Sequence, residues 1–252
     1  MKSNAVRRVL LRALVFAFWI LVWYLASFLV DSVLLLPTPH ETALELFSLF
    51  GRLDFYKVIF FTLLRVLLGL VIGVASGITL AFICHKVEIA KSFISPIISV
   101  IRATPVASFI VLLWVLVSGS ALAVIVAFLM VMPIVWQNTL DGFDSIPREL
   151  VEVAEIYEFS FKKKFTVLML PVLSGYVFPA VITAVGLAWK SEIAAEIIAY
   201  TKNSIGMHIN NAKSLLLTPT VFAWTVLVIV MSLLLEWMIK RLLGGLKNES
   251  KA

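Results

Sequence analysis

The chain has 252 residues, of which 62% are hydrophobic and 14% charged, and its mean hydropathy is +1.05. Soluble domains carry about 25% charge, so this composition excludes a water-soluble globular protein and places the chain in a membrane. The net charge of +6 needs no nucleic-acid partner, because an uneven distribution of Lys and Arg across a bilayer accounts for it.

Six apolar segments reach or approach the roughly 20 residues that carry a helix across a bilayer. They are residues 13–30, 58–84, 93–117, 121–140, 173–200 and 221–239. They predict an all-α integral membrane protein with a single transmembrane domain over 1–252. The first segment has a basic flank like that of a signal peptide, but it is too long for a signal's apolar region and lacks a small-residue cleavage site. It reads as an uncleaved anchor. Residues 39–51 then predict a short amphipathic helix lying on lipid through Leu44, Phe47, Leu49 and Phe50.

In the second segment Gly69, Gly73 and Gly77 fall on one helix face, which allows a neighbouring helix to come close. Cys84, the only cysteine, excludes an intramolecular disulfide and reads as packing. Pro96 and Pro105 in the third segment and Pro133 in the fourth predict kinks. The stretch Arg102 to Val106 is a candidate gate.

Charges inside the spans are costly unless paired or wetted. Arg65 lies about two turns into the second span, and Glu192 and Glu196 lie near the outer end of the fifth, at depths that suit an Arg65–Glu192 pair. Glu192 and Glu196 share a helix face, while Lys190 points elsewhere. Lys190 therefore either faces a cavity or sits in a structural ion pair.

Lys and Arg divide unevenly between the connections. One side holds Lys2, Arg7, Arg8, Arg12, Lys86, Lys91, Arg148, Lys162, Lys163, Lys164, Lys240, Arg241, Lys247 and Lys251; the other holds Arg52, Lys57, Lys202 and Lys213. The basic side is expected to be cytoplasmic, with both termini.

The charged connection 141–171 also faces that side. Pro147, preceded by Ser145 and Ile146, marks a helix start, and Leu150, Val153, Ala154 and Tyr157 recur at amphipathic spacing. A second short helix is expected from Ser160 to just before Pro171. An ordinary solvated loop would be the plainer reading.

The register Glu152-Val153-Ala154, then Glu158, then Leu168-Met169-Leu170-Pro171 resembles the cytoplasmic loop of permease subunits of bacterial ATP-binding-cassette importers. That family typically has Gly where Glu158 stands. Without glycine, Glu158 is expected to make the bend differently or to extend the first helix. Further resemblance comes from Leu36-Pro37-Thr38-Pro39, the stretch Thr62 to Gly69, Arg102-Ala103-Thr104-Pro105, Ala188-Trp189, Ala195-Glu196 and Ile205-Gly206. These look like the nitrate, taurine and sulfonate branch of the binding-protein-dependent importers.

The resemblance implies two copies of a cytoplasmic ATPase, which would carry ATP and Mg, and an extracytoplasmic substrate-binding protein. It also implies a second permease copy and residence in the bacterial cytoplasmic membrane. Ser145, Pro147, Leu150, Glu152, Val153, Ala154, Tyr157, Glu158, Leu170 and Pro171 would couple to the ATPase. Arg65, Arg102, Pro105, Lys190, Glu192 and Glu196 are candidates for the path of a small anionic or polar solute. Two rivals stand beside this: a proton-coupled secondary transporter with Glu192 and Glu196 as relay groups, and a membrane enzyme using the same pair as acid and base. No inverted repeat is visible between the halves, as many secondary transporters would have. No phosphate-loop or zinc-helix motif occurs, and His40, His85 and His208 are scattered, so neither a cofactor nor a metal is expected on this chain, and the histidines read as polar loop surface.

Overall fold

A computed structural model describes residues 2–117 and 119–249, and no strand occurs among them. Lys251, counted above with the basic side, lies outside the described residues. Among the described residues five helices are long and apolar enough to cross a membrane, or six when the bent pair Glu88–Ala103 and Val106–Leu116 counts as one span.

Helix α1 (Lys2–Val30) is exposed along most of its apolar length and is fastened at its C-terminal end. There the Trp23 indole donates to the Pro37 carbonyl at 3.0 Å and the Ser27 hydroxyl to the Leu36 carbonyl at 2.8 Å. The Leu-Pro-Thr-Pro motif continues directly into α2 (Pro39–Phe50). Thr38 caps that helix in a reciprocal box with Glu41, and Pro39 supplies the first helical turn. Backbone and hydroxyl donation from Thr38 holds the Glu41 carboxyl below its ordinary range. The expected lipid-facing set needs one correction. Leu44 and Phe47 are exposed, but Leu49 is buried in the core with Phe55 and Trp224.

Helices α3 (Leu53–Lys86) and α6 (Ser120–Asp144) run parallel along the glycine face. A Cβ on Gly69 would overlap Ala127, one on Gly73 would come within 2.7 Å of Val131, and one on Gly77 within 2.9 Å of Val135. The constant step of four on both helices is what lets their backbones stay in contact over two turns. Cys84 is buried with Ala81, Ile98 and Trp136, consistent with packing.

The expected segment 93–117 is interrupted at Pro105, where a kink was expected, and the interruption is a full break. Helix α4 (Glu88–Ala103) and helix α5 (Val106–Leu116) meet at 105°. Pro105 forces the break: it cannot donate to the preceding turn, and it drives Thr104 to an extended conformation, φ −80° and ψ 128°. Pro96 and Pro133, by contrast, sit within continuous helices.

The connection contains α7 (Arg148–Ile156). It is followed by α8 (Phe161–Lys163), a π-helical stretch Lys164–Met169 and α9 (Leu170–Ala199), which together form one 39-residue helix, Phe161–Ala199. The short helix expected to stop before Pro171 instead continues through it. The wide turn explains this. In the π stretch the bonds span five residues, as in Leu170 N–H to Phe165 O, so the backbone re-spaces itself just before the proline. Helix α9 returns antiparallel to α6, then α10 (Ile205–Ser214) and α11 (Thr218–Glu249) complete the chain. The Trp189 indole donates to the Val228 carbonyl at 3.0 Å, tying α9 to α11. The connection 141–171 and the loop after α9 therefore lie at opposite ends of the bundle.

Two histidines also depart from the expectation of polar loop surface. His85 stacks on Phe143 with ring centroids 4.5 Å apart, and His208 stacks on Trp224 at 5.1 Å with Nε2 3.3 Å from Asp54. His40 is exposed.

Candidate functional site: a buried charge knot, an open cationic face and an exposed loop helix

The end of the bundle away from α7 is closed by a knot of polar groups drawn from three separate segments. Arg65, 5% exposed, donates from Nη1 to Glu196 Oε1 at 2.7 Å, and Glu196 is fully buried. The Thr62 hydroxyl donates to the same carboxylate at 2.9 Å, and the Gly206 N–H at 3.1 Å. Arg65 Nη2 donates to the Lys202 carbonyl at 3.0 Å and both terminal nitrogens reach the Asn203 carbonyl at 3.3 Å. Thr62 also accepts from the Ile205 N–H at 3.2 Å. The first amides of α10 thus find Glu196 and Thr62, and the carboxylate sits where the helix dipole favours negative charge. Gly206 is required for this approach, since a Cβ there would overlap Glu196 and lie 2.5 Å from the Ile197 nitrogen.

This corrects the Arg65–Glu192 pairing. The carbonyls of Lys202 and Asn203 draw the guanidinium towards the loop, one turn beyond Glu192, so Glu196 becomes its partner. Glu192 is fully buried on the same face, and neither of its carboxylate oxygens has a hydrogen-bond partner among the described residues. Thr62, Gly206 and the two carbonyls were not assigned roles from the sequence. The motifs Thr62 to Gly69, Ala195-Glu196 and Ile205-Gly206 were visible, but their convergence required the loop's path.

Lys190 behaves differently. It is exposed on α9, and it makes no ion pair among the described residues. One turn before it, Leu187 lines a cavity of about 230 Å³ together with Arg102, Thr104, Met130 and Pro133. Arg102 is likewise exposed and without an ion pair among the described residues. The break at Pro105 places Arg102 at the corner of the bent crossing. Arg102 thus lines this cavity and Lys190 stands one turn from a residue that does, whereas Arg65, Glu192 and Glu196 are buried inside the bundle.

At the opposite end, α7 presents Leu150, Val153, Ile156 and Tyr157 to solvent, while Ala154 alone on that helix is buried. Glu152 is exposed beside them. Ile156 was not singled out from the sequence, although it continues the spacing of Leu150 and Val153. Ser145 bonds back to the Gly142 carbonyl at 2.8 Å and ends α6, and Pro147 is the N-cap of α7. Leu170 is exposed, and Pro171 follows it at the start of α9.

Glu158 does adopt the left-handed conformation that was expected to need glycine, with φ 48°. The Phe159 N–H reaches the Ala154 carbonyl at 2.9 Å and the Glu158 N–H the Glu155 carbonyl at 2.9 Å, the paired bonds of a Schellman ending. A side chain in this region costs about 1–2 kcal/mol that glycine avoids. Glu158→Gly is therefore expected to raise the melting temperature of the purified protein; a lower one would show that the carboxylate holds the turn.

Among the described residues no cluster of His, Cys, Asp and Glu is arranged to hold a metal ion. Comparison with known proteins gives the class to which the parallel α3–α6 pair, the bent helix pair and the loop helix belong: a membrane transport subunit. The model of the binding-protein-dependent transport system inner membrane component family matches residues 69–247, and the chain belongs to that family. It is a family of transport permeases, not of enzymes.

The taurine transport system permease protein of Escherichia coli is 23% identical, over 85% of this chain and 80% of that one. The nitrate import permease protein of Synechococcus elongatus is 29% identical over 56% of this chain and 50% of its own length. A crystal structure of an amino acid ABC transporter with histidines matches with a TM-score of 0.62 at 17% identity, covering 79% of this chain and 95% of that chain, which shows the shared fold. The relatives lie in the nitrate, taurine and sulfonate branch that the sequence motifs resemble.

Proposed function

We propose that this permease forms the translocation path of an ATP-driven importer for a small anionic or polar solute delivered by an extracytoplasmic binding protein. Two copies of the chain would enclose the path, and two cytoplasmic ATPase subunits, holding ATP and Mg, would drive it. Both termini and α7 face the cytoplasm in this reading, as the Lys and Arg distribution favours. The observation that carries it is α7: Leu150, Val153, Ile156 and Tyr157 project from a short helix, and no described residue covers them. An amphipathic helix so placed suits a hydrophobic groove on a partner.

ATP-driven closure of the partner would move α7 as a lever. The uninterrupted helix from Phe161 to Ala199 is 39 residues long, about 58 Å at the α-helical rise, so movement at the loop reaches both Lys190 and the knot. Substrate would pass along the face that carries Arg102 and Lys190. Unpaired cations within a membrane cost at least about 2.5 kcal/mol each near the centre, unless they face water or an anion. Arg65, Glu192 and Glu196 would brace that face rather than line it.

The test is co-expression with the cognate ATPase and purification through a tag on this chain. The wild type is expected to retain the ATPase, and Glu152→Arg to lose it while remaining folded. A folded permease that captures no ATPase, yet supports uptake without ATP, would bring forward the proton-coupled reading with Glu192 and Glu196.

A further inference from the structure

A cavity opens on the α7 side of the bundle, away from Arg102 and Lys190. It has a volume of about 480 Å³ and is lined by Phe82 of α3, Thr139 and Phe143 of α6, Phe165 of the π stretch, and Ser174 and Phe178 of α9. Its walls are almost wholly apolar: the Thr79 and Ser174 hydroxyls are spent on the carbonyls of Ala75 and Pro171 in their own helices, and the Thr139 hydroxyl is buried away from the opening.

The rim carries positive charge that the protein does not neutralise. Lys86 stands one turn beyond Phe82 on α3, and Lys162 one turn before Phe165, so each lies above an aromatic wall of the cavity. Both lysines are exposed and neither forms an ion pair among the described residues. Asp144 is held by Lys91 at 3.4 Å and Glu155 by Lys164 at 3.5 Å, while Glu88, two residues from Lys86, is exposed and pairs with neither lysine among the described residues. An apolar slot beneath uncompensated lysines at the end of a membrane bundle matches one class of molecule.

We propose that this cavity holds an acyl chain of an anionic membrane phospholipid, with its phosphate on Lys86 and Lys162. Such a lipid fills space between α3, α6 and the start of α9, at the point where the π stretch joins the loop to the bundle. It acts there as a wedge that fixes the angle at which α7 leaves the membrane. Basic pockets between transmembrane helices are suited to anionic headgroups, and each lysine strengthens the attraction near a charged leaflet.

The full-length chain, purified in detergent, is titrated with phosphatidylglycerol and with phosphatidylcholine of the same acyl chains, and bound lipid is counted by native mass spectrometry. Retention of one phosphatidylglycerol per chain is expected, with a preference of roughly tenfold or more, as two lysines acting on one headgroup give. Ser174→Trp fills the slot and is expected to remove the bound lipid. Lys86→Ala combined with Lys162→Ala changes only exposed side chains and is expected to abolish the preference. This second variant carries the test if Ser174→Trp lowers stability.

Equal retention of both lipids by the wild type would overturn the proposal, as would undiminished retention by a folded Ser174→Trp. The slot can also be probed with Ser174→Cys, because Cys84, the only native cysteine, is buried. Protection of that thiol from a maleimide by phosphatidylglycerol is expected. Protection by the ATPase alone, or by a second copy of the chain alone, would assign the cavity to a protein contact and overturn the lipid.

Discussion

Glu196→Ala is expected to destabilise the permease by about 3–5 kcal/mol, the usual cost of leaving one partner of a buried ion pair uncompensated. The change strands the Arg65 guanidinium in a bundle where its remaining acceptors are the Lys202 and Asn203 carbonyls. It also strips the acceptor from the Gly206 amide, loosening the start of α10. Arg65→Ala should cost a similar amount for the converse reason. The two losses overlap, so the double variant should be far less unstable than the sum of the singles. Thermal melts of the purified variants, arranged as a double-mutant cycle, measure that coupling. Additive losses would mean that the two side chains do not share one network. Transport should fall only as far as folded protein falls, because the pair is enclosed.

Lys190→Met is expected to reduce uptake of an anionic solute by about 10- to 100-fold, as loss of a charge-assisted contact worth about 1.5–3 kcal/mol would do. Assembly and melting temperature should remain close to wild type, since Lys190 is exposed and bonds to nothing among the described residues. Lys190→Arg should preserve most of the activity. Uptake into proteoliposomes, measured with anionic and neutral solutes side by side, separates a charge effect from a general defect. Unimpaired anion uptake by Lys190→Met would remove the residue from the path. Arg102 offers an internal comparison, because it lines the neighbouring cavity from another helix.

These two predictions rest on features that the sequence revealed to very different degrees. Lys190 could be assigned a face from helical phase alone, because Glu192 lies about 200° away from it on the same helix. The glycine ladder of Gly69, Gly73 and Gly77 was equally legible, since its period matches its partner's along the whole contact. The Arg65 partner was missed by one turn. Depth along two helices can be counted from a sequence, but the position of the guanidinium is set by carbonyls in the loop after α9, where Asn203 and Tyr200 both take positive φ. In the segment 93–117 the position of the break was legible and its size was not, for a related reason. Pro105 announced a disturbance, whereas the 105° bend depends on how α5 packs against Leu122, Ala123 and Ala195 once the helix is broken. At Glu158 the spacing of the loop motif identified the turn correctly, and the residue type pointed away from the conformation that packing imposes.

The π stretch from Lys164 to Met169 has a consequence for chain length. A wide turn accommodates one residue more than an ordinary turn does. Removing a single residue there would let the helix close into regular α geometry with the segments on either side left in phase, whereas removing one from the regular helix beyond it would rotate everything ahead by about 100° relative to the bundle. Leu150, Val153 and Tyr157 would look in a new direction after the second deletion and not after the first. The stretch works as slack between the two ends of the molecule, absorbing a change of one residue that the regular helix would pass on to α7.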